Sequence, residues 1–276
     1  MKRVTSILLT ILMAFAVCQI AFAADSVPAF VTISDKTGTL RVAYEKIDVK
    51  DIDSDGKLTV NDALYCAHEK YYHGGAAAGY AYKDSAEYGL SLTKLWGAEN
   101  NGGFGYWLND KSCWNLADEI SEGDHVYAFV YTDTEKWSDA YTYFDTKVIE
   151  GKSFQEVTVT VKTVGSYDEY YQPVIVPLEG AKITLNGKMP GERVMRSFVA
   201  VTDAEGKATF RLPIKGDYTI SANTLDGKII TPPVCKASVE FNFKNIITNP
   251  IQLLNYLLEV FFRQPISIPM LSSSLK

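Results

Sequence analysis

One stretch of this chain carries the period of an amphipathic helix. Val60, Ala63, Leu64, Ala67 and Tyr71 recur at spacings of three and four, which lines apolar side chains along one face. The segments around it read in the two-residue period of strands, so one main helix has to cover a sheet, with sheet alone afterwards. What leads into the helix constrains the fold further. Asp51, Asp53 and Asp55 fall on alternate residues, Gly56 follows, and Asp62 stands at the twelfth position of the stretch.

That spacing matches a calcium loop. Calcium is a hard cation that takes six to eight oxygens at about 2.3–2.6 Å. Asp51, Asp53 and Asp55 supply carboxylates at loop positions 1, 3 and 5, and Gly56 permits the sharp turn at position 6. The carbonyl of Lys57 is expected to face inward at position 7, Thr59 to hold a water at position 9, and Asp62 to complete the shell at position 12. Leu58 is the apolar anchor into the core. The competing reading is an acidic solvated turn; four carboxylates in register, the glycine and the helix behind them favour calcium. Residues 51–72 resemble the repeat of dockerin domains, which likewise place Asp at position 12. Dockerins carry two copies. Here the nearest second candidate, Asp203-Ala204-Glu205-Gly206, reads as a strand-joining turn.

Met1-Lys2-Arg3, an apolar run over 7–23 broken by Thr10 and Gln19, and Ala21-Phe22-Ala23 form the pattern of a secretory signal peptide over residues 1–23. The run is short and no charged stop follows it, so the mature chain is expected to start at Ala24, outside the cell, with no transmembrane span. The full chain is 47% hydrophobic, enough for a sizeable core, and its 33 acidic against 27 basic residues argue against nucleic acid and anionic membranes as partners. Cleavage leaves Cys66, Cys113 and Cys235. A Cys66–Cys113 disulfide with one free thiol and three reduced thiols fit equally well.

Residues 28–34 and 39–49 alternate across Asp35-Lys36-Thr37-Gly38 and read as a hairpin. The helix follows near 61–72, closed by Gly74-Gly75, then an irregular stretch to 101. Strands are expected at 104–108 and 125–131, with 141–144 as an edge. From Gly151 the pattern is strands alone, at 157–161, 181–185, 198–201, 208–212, 218–222 and 237–243. The fold class is therefore α+β: a β-grasp-like N-terminal domain over 24–148, then an all-β immunoglobulin-like sandwich over 152–243. An apolar tail, 244–276, is left over. Its 251–262 run is too short to span a bilayer, which takes about twenty residues, and it suits a helix packed on the sandwich.

Two resemblances bear on these domains. Gly102-Gly103-Phe104-Gly105-Tyr106-Trp107-Leu108-Asn109-Asp110, with Ile120-Ser121-Glu122-Gly123-Asp124-His125-Val126-Tyr127-Ala128-Phe129 after it, is similar to the C-terminal β-grasp domain of transcobalamin and intrinsic factor. Those elements are structural in that family, so cobalamin is not implied. Pro177-Leu178-Glu179-Gly180-Ala181, Thr202-Asp203-Ala204-Glu205-Gly206 and Gly216-Asp217-Tyr218 resemble the carboxypeptidase-regulatory-like and collagen-adhesin B-type β-sandwich repeats of bacterial surface proteins. That resemblance implies a stalk or spacer fold.

No Gly-x-Ser-x-Gly, phosphate loop or dinucleotide motif is present. His68 and His73, five residues apart, do not share a helix face, so catalysis is not expected. All four tryptophans, Trp96, Trp107, Trp114 and Trp137, fall in one window. Trp114 and Trp137 follow polar loop residues and are the ones expected at a surface, where large aromatics stack on sugars or anchor partners. The reading is a secreted or cell-surface calcium-binding module that binds a glycan, small-molecule or protein ligand. A structural spacer and an unrecognised extracellular hydrolase are the alternatives.

Overall fold

The computed structural model describes residues 26–254, apart from 88, 100, 102, 114, 190–192, 225, 226, 249 and 252. The signal peptide, Trp114 and the tail beyond 254 lie outside the described residues.

The chain opens on a hairpin of β1 (Val27–Ser34) and β2 (Leu40–Val49). Asp35 fixes its turn: Oδ1 accepts from the Thr37 N–H at 2.8 Å and the Thr37 hydroxyl at 2.6 Å, and Oδ2 from Arg41 Nε at 2.6 Å. Helix α1 (Val60–Tyr71) follows and lays Val60, Ala63, Leu64 and Ala67 on Ala29, Val31, Ile33, Ile47 and Val49. Full burial of a valine or leucine side chain such as Val60 or Leu64 contributes about 1.5–3 kcal/mol. The apolar stripe ends on buried His68 and not, as its spacing suggests, on Tyr71, which is exposed with the Lys70 ammonium 5.0 Å from its ring.

The stretch expected to be irregular is partly ordered. It contains a short helix α2 (Gly75–Gly79) and a two-stranded hairpin of β3 (Ala81–Ser85) and β4 (Gly89–Lys94). Three strands complete the first sheet: β5 (Phe104–Leu108), β6 (Lys111–Ser112) and β7 (His125–Val130). Its order is β2-β1-β7-β5-β6, with β7 parallel to β1 and the other neighbours antiparallel. Successive residues of a strand face opposite sides. Val126, Ala128 and Val130 therefore enter the core under α1, while Tyr127 and Phe129 cross to the other face and pack with Trp107, Tyr141 and Val164. Gly105 pairs with Phe129 across β5 and β7, and a Cβ there would come within 2.2 Å of that ring.

The second half is strands alone until near the end. These are β8 (Thr142–Phe144), β9 (Val148–Lys152), β10 (Glu156–Tyr167), β11 (Pro173–Pro177), β12 (Lys182–Met189), β13 (Arg193–Val201), β14 (Lys207–Arg211), β15 (Gly216–Asn223) and β16 (Cys235–Glu240). One sheet runs β11-β10-β14 with β8 on β10, and a five-stranded sheet runs β13-β12-β15-β16-β9. Val159, Val161, Ala208 and Phe210 of the first pack with Ile183, Leu185, Tyr218, Ile220, Ala237 and Val239 of the second in one core.

Two placements differ from the sequence reading. The 141–144 strand does not edge the first sheet; β8 pairs Phe144 with Val161. The junction expected near 150 falls inside β9, which runs parallel to β16 from Val148↔Lys236 to Glu240↔Lys152. The second half's sheets thus recruit strands from 142 onward, because Phe144 fills their shared core. At the far end, α3 (Phe243–Ile247) follows β16, and Leu253 packs on Phe154 and Ile214. Most of the molecule is β structure in several sheets, with one main helix.

Candidate functional site

The acidic loop hangs between β2 and α1, and both of its ends are tied down. Asp51 Oδ1 accepts from the Ser54 N–H at 2.7 Å and its Oδ2 from the Gly56 N–H at 2.9 Å. Gly56 sits at φ 84°, the left-handed region where L side chains are strained, and Ser54 at φ 61°. The exit strand segment pairs with the opposite loop: Ile120 N–H donates to the Leu58 carbonyl at 2.8 Å, and Lys57 Nζ reaches Glu119 at 2.6 Å. Thr59 is the N-cap of α1.

This folding brings three of the expected ligands together. Asp51, Asp53 and Asp55 each offer a carboxylate oxygen, all within 4.8 Å of one another. Among the described residues, they are the one group of three or more His, Cys, Asp or Glu side chains so arranged. Asp62 is not brought in. Its Oδ1 accepts from the Ile52 N–H at 3.0 Å, and its Oδ2 from the Thr59 N–H at 2.8 Å and the Thr59 hydroxyl at 2.6 Å. Thr59 and Asp62 form the reciprocal capping box of α1. Thr59, expected to hold a water, is thereby spent on the helix start. Lys57 is exposed and its side chain points to Glu119; the role expected of it is its carbonyl's alone.

The electrostatics of the loop follow from this crowding. Hydrogen bonding, first from the Gly56 N–H, holds the Asp51 carboxyl below the usual range. Asp53 is pushed up, first by lost solvation and then by the charges of Asp55 and Asp62. A divalent cation bound between the three carboxylates removes that repulsion, and an all-oxygen donor set suits a hard ion. The residues present fit calcium.

The histidines are internal or isolated. His68 is buried, its Nδ1 donating to the Leu64 carbonyl at 2.7 Å and its Nε2 accepting from the Trp96 N–H at 3.0 Å. Burial holds it down at about 4, in the neutral form. His125 is buried against Thr32 and Tyr44, its Nε2 2.9 Å from the Thr32 hydroxyl. His73 is exposed at the end of α1. The three cysteines are free thiols: Cys113 donates to Asp118 Oδ2 at 2.9 Å, and burial pushes Cys235 up to about 12.

Of the two tryptophans expected at the surface, Trp137 is 42% exposed, and Trp114 lies outside the described residues. Trp107 is buried and stacks on Tyr141 at 4.0 Å, and Trp96 is half-buried beside His68 and Tyr72. Trp137 stands edge-on to Tyr131 at 5.4 Å. The sequence reading did not single out the exposed aromatics Tyr167, Tyr170 and Tyr171 at the end of the β10–β11 hairpin. Their signal is Tyr167-Asp168-Glu169-Tyr170-Tyr171, a polar turn carrying three rings that no core requires.

No family model matches the sequence, and no curated protein matches it. A solved chain described as "Structural basis of T cell specificity and activation by the bacterial superantigen toxic shock syndrome toxin-1" aligns with 37% of this chain and 99% of its own length. The alignment has 11% identity and a TM-score of 0.22, a likeness that carries no argument. Among the described residues, no helix is long and apolar enough to cross a membrane.

Proposed function

We propose that this chain is a bacterial extracellular or cell-surface module that binds calcium at the 51–62 loop and serves ligand binding or adhesion without catalysis. The observation that carries the reading is the convergence of Asp51, Asp53 and Asp55 within 4.8 Å on a loop that leads into α1. With the ion bound, those three carboxylates and the Lys57 carbonyl are its protein ligands, while Thr59 and Asp62 secure the helix start behind it. The ion supplies charge neutralisation. The chain's own contribution is a turn already closed by Gly56 and by hydrogen bonds to Asp51.

The fold reading that accompanies this is a β-grasp-like unit followed by an immunoglobulin-like sandwich. Its support is the order β2-β1-β7-β5 with β1 parallel to β7 and α1 across one face, and the two sheets of the second half sharing one core. The family resemblances of the sequence are proposed on the same footing. A second reading, a rigid spacer, is favoured by the packed aromatic seam of Trp107, Tyr127, Phe129 and Tyr141 between the halves.

Extracellular modules of this kind bind calcium at about 0.1–1 mM. At millimolar calcium the folded form gains on the order of 1 kcal/mol. Melting in calcium is expected above melting in chelator, and the Asp53→Ala/Asp55→Ala double variant is expected to lose the difference. Coincident melting curves for the unaltered chain would count against the reading.

A further inference from the structure

The seam between the halves holds a buried base with an idle nitrogen. His125, on β7, is 5% exposed, and its Nε2 stands 2.9 Å from the Thr32 hydroxyl. Among the described residues, its Nδ1 is the one buried side-chain nitrogen or oxygen without a hydrogen-bond partner. Buried polar atoms are nearly always bonded, so this exception is informative. In either neutral tautomer one ring nitrogen serves Thr32 and the other is idle; the cation carries an N–H on both. Tyr44 covers the ring edge-on at 4.8 Å, and is itself held at φ 52° with its N–H on the Thr32 hydroxyl at 3.1 Å. Left-handed backbone at a bulky residue costs about 1–3 kcal/mol and persists only where the surroundings impose it.

A closed ring of contacts surrounds this histidine. The Asn109 side-chain oxygen accepts from the His125 N–H at 2.9 Å, and the Asn109 N–H donates to the His125 carbonyl at 2.9 Å. Next to Asn109, the Asp110 carboxylate takes Lys147 Nζ at 2.8 Å. The Lys147 carbonyl accepts from the Lys236 N–H at 2.8 Å, and Lys236 Nζ reaches Glu45, the neighbour of Tyr44, at 2.7 Å. The titratable and charged groups around His125 are therefore Tyr44 and Glu45 from β2, Tyr127 from β7 itself, Asp110 from the β5–β6 turn, Lys147 just before β9 and Lys236 from β16. Cys235 turns into the sandwich core.

Both carboxylates of the ring are already paired with lysines across the seam. A proton on the idle nitrogen therefore buries a cation and an unpaired N–H where no anion is left to meet them. Lost solvation, and then the Lys147 charge, hold the imidazole well below the usual histidine range. We propose that His125 is an acid release for the seam: proton uptake there favours a state in which the first sheet parts from β9 and β16 and the imidazolium meets water, while each half keeps its own core. The parted state takes up the proton near pH 6.5, as an ordinary histidine does, and the closed state only at lower pH. Closing is thus fully favoured above about pH 6.5 and weakens as pH falls below it. The ratio of parted to closed chains rises about tenfold between pH 7.5 and 5.5, a window above the ordinary carboxylate range. This device goes beyond the calcium-binding reading and shares no residue with the 51–62 loop.

The test places a thiol in the seam of the full chain. Val164 is 6% exposed and packs with Trp107, Tyr127 and Tyr141. In Val164→Cys, labelling of that thiol by a pyridyl disulfide is located by peptide mass spectrometry and divided by the rate in the denatured chain at the same pH, which gives the fraction open. Cys113 and Cys235, buried in the first core and in the sandwich core, report opening of the cores in the same molecules. The seam thiol is expected to show a larger open fraction than either at every pH, rising about tenfold from pH 7.5 to 5.5. His125→Phe and His125→Gln, which take up no proton, should each flatten that rise, with circular dichroism showing which of them is folded. An open fraction at the seam no larger than in the cores, a flat profile in the chain that carries His125, or an undiminished rise in a folded His125 variant would overturn the proposal.

Discussion

At the level of single residues, His68 and His125 carry a clear energetic consequence. Both are buried, and burial holds His68 at about 4 and His125 at about 3. An unfolded histidine titrates near 6.5. Because the folded values are depressed, the stability they allow is fully present above about pH 6.5 and is lost as pH falls toward the folded values. Each contributes a slope approaching 1.4 kcal/mol per pH unit below that point. Denaturant midpoints measured from pH 7.5 to 5.5 should therefore fall with a slope approaching two protons, and a flat profile would contradict the assigned environments. Thr59 gives a second residue-scale test. Its hydroxyl and the Asp62 carboxylate satisfy each other's backbone donors, so Thr59→Ala should cost about 1 kcal/mol in chemical denaturation.

At the level of elements, the helix, the first hairpin and most core strands were legible because each has one buried face, and a period of two or 3.6 residues follows from that directly. Leu64, in the middle of α1 and fully buried, should cost about 2–5 kcal/mol as Leu64→Ala. Thermal melting of that variant checks it. What escaped has a physical cause. β3 and β4 pair only with each other and bury little beyond Leu92, so they leave no strong alternation. β8 and β9 take their partners from residues far along the chain, Val161 and Lys236 among them, and local pattern cannot name a distant partner. The acidic 51–62 loop was readable as a spacing. The diversion of Asp62 to Thr59 and Ile52 was not, since it depends on which hydrogen bonds the helix start claims.

At the level of the whole molecule, the two halves meet on a seam that is aromatic at its centre and charged at its edge. Trp107 stacks on Tyr141, whose hydroxyl donates to Asp110 at 2.8 Å; Lys147 pairs with the same Asp110 oxygen at 2.8 Å, and Lys236 with Glu45 at 2.7 Å. Tyr127 crosses the seam to the Pro232 carbonyl at 3.0 Å. Trp107→Ala should cost about 3–5 kcal/mol and broaden or split the melting transition, whereas a surface change such as Lys236→Ala should stay within about 1 kcal/mol. The loop proposed to bind calcium leads into α1, which covers the opposite face of the first sheet. Whether the three crowded carboxylates hold a cation is open to direct measurement. Isothermal titration of the chelator-stripped chain with calcium chloride tests this most directly. One site per chain with a dissociation constant of about 0.1–1 mM is expected, with weak or absent heat for magnesium and no binding in Asp53→Ala/Asp55→Ala; no calcium heat from the unaltered chain would mean that the loop is an ordinary acidic turn.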